Sequence, residues 1–256
     1  MLKILATSDL HGYLPHIEEP FDILLIAGDI CPPRDHFFSY QIEWMRSEFV
    51  LWIKTLPFRN NLSKVIMTWG NHDFVGERAK KSAIDEICRM TDNRLIVLKH
   101  EEYSFDTPSD NGIDELKIFG TPYCSEFGNW AFMPSDEKRK EKLDMIPEGI
   151  DILVSHDSPM KNGLGDITEG IYSPLVKGSR ELAACIERVK PLLFVSGHFH
   201  SGNHKFEKVD NTWMANVSYV NERYSPVNPI LSMDYDENKH DIIGHGFIFC
   251  DARESF

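Results

Sequence analysis

Six short runs, each apolar on both faces, set what this chain can fold into: LKILATS at 2–8, DILLIAG at 22–28, KVIMTWG at 64–70, ELKIFGT at 115–121, DILVSH at 151–156 and PLLFVSG at 191–197. Runs of this length and β-branched content predict buried strands, and a strand apolar on both sides needs a packed layer on each. Between them lie helical patterns. Within 36–57, Phe38, Ile42, Met45, Phe49, Trp52, Ile53 and Leu56 recur mostly at steps of three and four until Pro57 stops the segment; 78–90 and 179–189 follow the same rule. After residue 200 the segments shorten and alternate (HKFEKV, TWMANVSYV, HGFIFC), which predicts antiparallel strands completing a mixed sheet or a second sheet. The fold class expected is α/β with stacked layers. No linker, repeat or low-complexity run divides the chain, so one domain over 1–256 is expected. The charged stretch SDEKRKEKLD reads as a solvated helix face.

The residues just past these runs carry the chemistry. LKILATS runs into Asp9 and His11, DILLIAG into Asp29, KVIMTWG into Asn71, His72 and Asp73, DILVS into His156, and PLLFVSG into His198 and His200. Residues i and i+2 of an extended segment point the same way, so Asp9 and His11 converge. Singly, each residue has an ordinary structural explanation as a cap, a turn former or a hydrogen-bonded strand terminus. Taken together, seven of them at five strand ends (Asp9, His11, Asp29, Asn71, His156, His198 and His200) do not, because the carboxyl ends of strands are where α/β sheets gather their sites. Carboxylate, carboxamide and imidazole donors without thiolate suit Mn²⁺ first, with Fe²⁺ or Zn²⁺ as alternatives. Seven ligands exceed one tetrahedral site, so two ions sharing a carboxylate are expected. Such a pair, about 4 Å apart, polarises a phosphoryl oxygen and activates a bridging water as a hydroxide nucleophile for phosphoester hydrolysis. His72, beside Asn71, is then free to protonate the leaving oxygen. Asp73 is expected either to orient that imidazole or to cap the helix after it.

The charge balance narrows the substrate. With 27 Lys+Arg against 40 Asp+Glu the formal net charge is −13, a field that repels long nucleic acid but admits a small phosphorylated substrate where cations invert the local sign. Cys31, Cys88, Cys124, Cys185 and Cys250 form no CxxC pair, which predicts reduced thiols and a cytoplasmic protein. No run is long enough for a signal-peptide core or a membrane span.

The blocks DLH at 9–11, GD at 28–29, GNHD at 70–73, SH at 155–156 and GHFH at 197–200 resemble, in identity, order and spacing, the calcineurin-like metallophosphoesterase superfamily. The resemblance covers roughly the first 200 residues and implies a four-layer αββα sandwich with a dinuclear site. Position by position it implies Asp9, His11, Asp29 and His200 around one ion and Asp29, Asn71, His156 and His198 around the other. Asp29 would bridge, and His72 would be the catalytic histidine that holds no metal. GTPYCSEFGNWAF at 120–132, SHDSPMKNGLGD at 155–166 and NVSYVNERYSPVNPI at 216–230 further resemble the metallophosphoesterase domain-containing, or 239-type, branch. That likeness implies a metal-dependent phosphodiesterase on a small diester, a cyclic nucleotide among the candidates. The chain departs from the branch at Asp157-Ser158, where a Thr-Pro type pair is expected, and NWAFMPSDEK lacks the basic ending usual there, so the branch does not fix the substrate.

Tyr123 and Phe127 are placed to stack on a base or aryl leaving group, whereas Trp130 and Phe132 are expected in the core. Arg34 reads equally as a phosphate contact or as surface charge. The competing functions are a phosphomonoesterase or phosphoprotein phosphatase on the same ions, and an interaction scaffold that keeps the fold without the chemistry.

Overall fold

The computed structural model describes residues 1–109, 112–168 and 177–254. In chain order its elements are β1 (Leu2–Thr7), β2 (Tyr13–Pro15), β3 (Ile23–Ala27), α1 (Phe38–Trp44) running through a π-type turn (Met45–Phe49) into α2 (Val50–Thr55), and β4 (Lys64–Thr68). Then come α3 (Phe74–Arg78), α4 (Lys81–Met90), β5 (Leu95–Leu98), β6 (Glu101–Ser109), β7 (Gly112–Thr121), α5 (Asp136–Asp144), β8 (Ile152–Ser155), α6 (Arg180–Val189) and β9 (Leu193–Ser196). The chain closes with β10 (Glu207–Val209), β11 (Thr212–Asn216), β12 (Ile230–Asp236), β13 (Asp241–Ile248) and β14 (Ala252–Glu254).

Two six-stranded mixed sheets form, in the orders β13-β12-β1-β3-β4-β5 and β10-β11-β9-β8-β7-β6, and β14 pairs with β2. Each has four parallel strands at its heart: β1, β3, β4 and β5 in the first, and β11, β9, β8 and β7 in the second. Antiparallel partners β12, β13, β10 and β6 extend them.

Strand alternation divides the apolar residues among three cores. In β3, Ile23, Leu25 and Ala27 face the space between the sheets, while Leu24 and Ile26 pack under Met45, Phe49 and Ile53 of the first helical stretch. In β8, Ile152 and Val154 join the inter-sheet core, while Leu153 lies with Leu182, Ile186 and Val189 of α6. Helices over sheet, sheet over sheet and sheet over helices make the αββα sandwich. Among the described residues no helix is long and apolar enough to cross a membrane. All five cysteines are free.

Candidate metal centre

The parallel strands of both sheets end at one edge of the sandwich, and the loops leaving them meet there. β1 delivers Asp9 and His11, β3 Asp29 and β4 Asn71; from the second sheet, β8 delivers His156 and β9 His198 and His200. Leaving a strand this abruptly requires unusual backbone. Asp9, His11, Asp29 and His198 have φ of 52°, 44°, 51° and 68°, the left-handed region that costs a side-chain-bearing residue free energy and clusters at functional sites. The junction between sheets is correspondingly tight. Gly28, at φ 96°, has no room for a Cβ beside His156 Nδ1 and the Trp69 carbonyl; at Gly197 a Cβ would strike Ser8 and the Asp9 carboxylate.

All seven side chains converge, and all but the half-buried His198 are buried. Asp9, His11 and His200 present ligand atoms within 4.8 Å of one another, as do Asp9, Asp29 and His156. Asp29 Oδ2 lies 3.7 Å from His11 Nε2 and 3.4 Å from His156 Nε2, so it faces both groups. Asn71 Oδ1 is 2.9 Å from His156 Nε2, and the backbone N–H of His198 donates to the Asp9 carboxylate at 3.0 Å. Cys124 lies within 4.8 Å of the ligand atoms of His156 and His198, closer than expected of a thiol outside the motifs.

The donor pattern fits cations. His156 Nδ1 must donate to the carbonyl of Ala27 at 2.7 Å, so its Nε2 lone pair faces two acceptors, Asp29 Oδ2 and Asn71 Oδ1. Likewise His200 Nδ1 donates to the carbonyl of Asn221 at 3.1 Å, turning Nε2 toward Asp9 Oδ1 at 3.3 Å and His11 Nε2 at 3.4 Å. Lone pairs meeting lone pairs in a buried site require a proton or a metal ion between them. Where protons fill that role, burial pushes the His156 imidazolium down but the Asp29 carboxylate overrides it, holding its pKa up to about 10. Burial similarly opposes the His200 cation, and the Asp9 hydrogen bond raises it. His11 and His198 are pushed down to about 3, chiefly by burial. Burial acts against ionising Asp29, yet the neighbouring histidines, His156 foremost, hold its carboxyl well below the usual range. Two ionised carboxylates and at least two neutral imidazoles are the protonation states a divalent ion needs.

His72 stands beside this cluster. Its ring is 5.0 Å from that of His11, and its backbone N–H donates to Asp29 Oδ1 at 2.8 Å. Asp73 does not orient it: the Asp73 carboxylate accepts from the backbone N–H groups of Ile30, Cys31 and Gly70 at 2.8–3.3 Å and makes no cap bond to α3. Asp73 does stand at the N-cap position of α3, as one expectation has it, but three convergent amides hold its carboxylate away from the imidazole and from the helix amides. The Nδ1 of His72 is met instead by Nε2 of His36 at 3.0 Å, and Gln41 clamps the turn, donating to the His72 carbonyl and accepting from the Val75 N–H. Trp130, half-buried, packs against the core as expected and also brings its ring within 4.3 Å of the His72 ring. Tyr123 is likewise half-buried. It packs on His100 and Phe132 and against the core. Phe132 is buried in the core under the first helical stretch. Phe127 is 60% exposed and 5.5 Å from the His198 ring, at the mouth of the site. Arg34 is exposed, with Tyr40 as its described electrostatic neighbour. Tyr224, absent from the sequence expectations, reaches the rings of His11 and His200 at 4.7 and 5.3 Å from a left-handed turn.

Comparison with known proteins decides the family. The family model described as calcineurin-like phosphoesterase matches residues 2–202. The chain belongs to that family. Among calcineurin-like relatives, metallophosphoesterase domain-containing protein 1 of Homo sapiens is 25% identical over 251 residues, covering 91% of this chain and 70% of the relative. One crystal structure superposes over 99% of both chains with a TM-score of 0.61 at 15% identity. The protein TT1561 of Thermus thermophilus does so over 96% of this chain and 98% of its own, at TM-score 0.50 and 14% identity. These likenesses show the fold. Calcineurin-like phosphoesterases use a dinuclear metal site, and this chain carries candidate ligand groups for one.

Proposed function

We propose that this chain is a dinuclear-metal phosphohydrolase acting on a small phosphodiester. The observation that carries the reading is Asp29, buried between two groups of candidate ligands with the His72 ring alongside. Two divalent ions held there, by Asp9, His11, Asp29 and His200 and by Asp29, Asn71, His156 and His198, would polarise the phosphoryl group and make water nucleophilic. Mn²⁺ suits this donor set best. His72 supplies the proton for the leaving oxygen from the side of the cluster lined by Trp130 and Tyr224.

A diester is favoured by what surrounds the site. Among the described residues, the leading electrostatic neighbours of Asp9, Asp29, His11, His198 and His200 are histidines and carboxylates, with no lysine or arginine among them. A phosphomonoester dianion would ask for such a clamp, whereas a diester carries one negative charge. Phe127, Trp130 and Tyr224 offer aromatic faces to a base or aryl group, which suits a cyclic nucleotide. Free cysteines and the acidic charge balance fit a reducing, cytoplasmic setting and a small substrate rather than long nucleic acid.

The test is metal-stripped, Mn²⁺-reloaded protein assayed on bis-p-nitrophenyl phosphate beside p-nitrophenyl phosphate, with His72→Ala as control. A diester preference lost in the variant is expected. A monoester preference would move the reading to a phosphomonoesterase or phosphoprotein phosphatase. Silence on both with two ions bound would favour an interaction scaffold.

A further inference from the structure

We propose that His36 is the positioning residue for His72, holding its ring by accepting the Nδ1–H so that Nε2 stays turned to the reacting phosphoryl group. The inference rests on the phosphodiesterase reading above. Three observations carry it. The 3.0 Å contact joins His36 Nε2 to His72 Nδ1, which leaves Nε2 on the opposite edge of the ring. The carboxylate nearest in sequence, Asp73, is committed to the amides of Ile30, Cys31 and Gly70. His36 is itself fixed by packing, 5.1 Å from Trp130 and 5.6 Å from Phe74; Trp130 also covers His72, so the two imidazoles share one aromatic wall.

The arrangement defines the proton step. To act as the acid, His72 must carry a proton on both nitrogens. As a water oxygen bonds to phosphorus and the bond to the leaving oxygen breaks, the leaving oxygen keeps the bonding pair and takes the Nε2 proton. His72 is left neutral as its Nδ1–H form, still donating to His36, and the proton given up by the attacking water restores Nε2–H by way of solvent. An imidazole acceptor holds this tautomer as a carboxylate would in a catalytic triad, without adding negative charge beside Asp29.

His36→Phe keeps a ring against Trp130 and Phe74 but removes the acceptor; His36→Gln restores an acceptor at similar reach. Both are assayed with two ions bound on diphenyl phosphate, whose leaving phenoxide benefits from protonation, and on bis-p-nitrophenyl phosphate, whose leaving group needs it less. For His36→Phe we expect kcat on diphenyl phosphate to fall roughly 10- to 100-fold with KM held, the scale on which orienting partners act. The loss on bis-p-nitrophenyl phosphate should be much smaller, and His36→Gln should recover most of the rate. In proton NMR of the Zn²⁺-loaded protein, the slowly exchanging N–H assigned to His72 Nδ1, distinguished from the retained His156 and His200 N–H signals by its loss in His72→Ala, should be present in wild type and His36→Gln and absent in His36→Phe. Equal losses on both esters, no loss, or persistence of that N–H in His36→Phe would overturn the positioning role while the wild-type enzyme remained a diesterase. A wild-type protein that binds two ions and cleaves neither diester would overturn the functional reading, and the role of His36 with it.

Discussion

Asp29 faces both ligand groups and also receives the His72 N–H, so its removal and that of His72 should part cleanly. Asp29→Ala is expected to lose bound metal, whereas His72→Ala should keep two ions per chain and lose about 10²- to 10⁴-fold in rate, the range of a general acid. Metal analysis of each purified variant beside its rate checks this; metal retained by Asp29→Ala and lost from His72→Ala would reverse the roles. A second residue titrates away from the centre. Burial, helped by the charge of Lys142, pushes His100 down to about 4. The unfolded chain therefore binds a proton that the folded one refuses, and the contribution of His100, full above about pH 6.5, is lost as pH falls toward about 4. Discounted for its partial exposure, that is about 1–2 kcal/mol. His100→Asn, which tolerates the φ of 64°, should flatten the acid side of the stability curve in urea titrations across that window. An unchanged slope would assign the acid sensitivity elsewhere. The residues at strand ends were legible because the end of an apolar run fixes where the next polar side chain must emerge. His36 and Trp130 were not, because each reaches His72 across 36 and 58 positions of chain through packing that no local pattern encodes.

At the scale of elements, α6 shows how local chemistry bounds a helix. Leu182, Cys185, Ile186 and Val189 form its buried stripe, and Ser179 Oγ accepts the Leu182 N–H at 3.1 Å. Lys190 closes it in the left-handed region at φ 53°, ψ 53°. Ser179→Ala should cost about 1 kcal/mol for the lost cap. Lys190→Gly should add about 0.5–1 kcal/mol, because glycine occupies that conformation without the Cβ penalty. Thermal melts of both variants measure the two signs; a destabilised Lys190→Gly would mean that the lysine side chain contributes more than its backbone strain. The periodic segments at 36–57 and 179–189 announced their helices because one face is apolar throughout. The π-type turn at Met45–Phe49 left no trace in that periodicity, and its cause is not apparent from the neighbouring side chains. β6 was hidden for a different reason: Tyr103, Phe105 and Thr107 turn inward while Glu102, Ser104 and Asp106 between them are exposed, as befits an edge strand with one face in water.

At the scale of the whole molecule, the candidate ligands divide between the sheets. The first supplies Asp9, His11, Asp29 and Asn71, the second His156, His198 and His200. Among the described residues, only two direct bonds between ligand loops cross that edge without needing a cation, His156 Nδ1–H to the Ala27 carbonyl and the His198 N–H to Asp9. Each ion in the proposed arrangement takes donors from both sheets, so occupancy couples the halves of the sandwich. A ligand that binds the folded state alone stabilises it by mass action, about 2.7 kcal/mol for each site at a free concentration one hundred times its dissociation constant. For a chain of this size that corresponds to roughly 5–10 °C per site in melting temperature. Stripping the metal should therefore lower the melting point, and Mn²⁺ should restore it. Hydrogen exchange should slow on reloading in the loops at 8–12, 28–31 and 70–74 and, in parallel, in those at 156–158 and 197–201. The far end of the β6–β7 hairpin should be unaffected. Protection confined to the loops of one sheet would show that the ions are held by that sheet alone, and the division of ligands between the two would have to be redrawn.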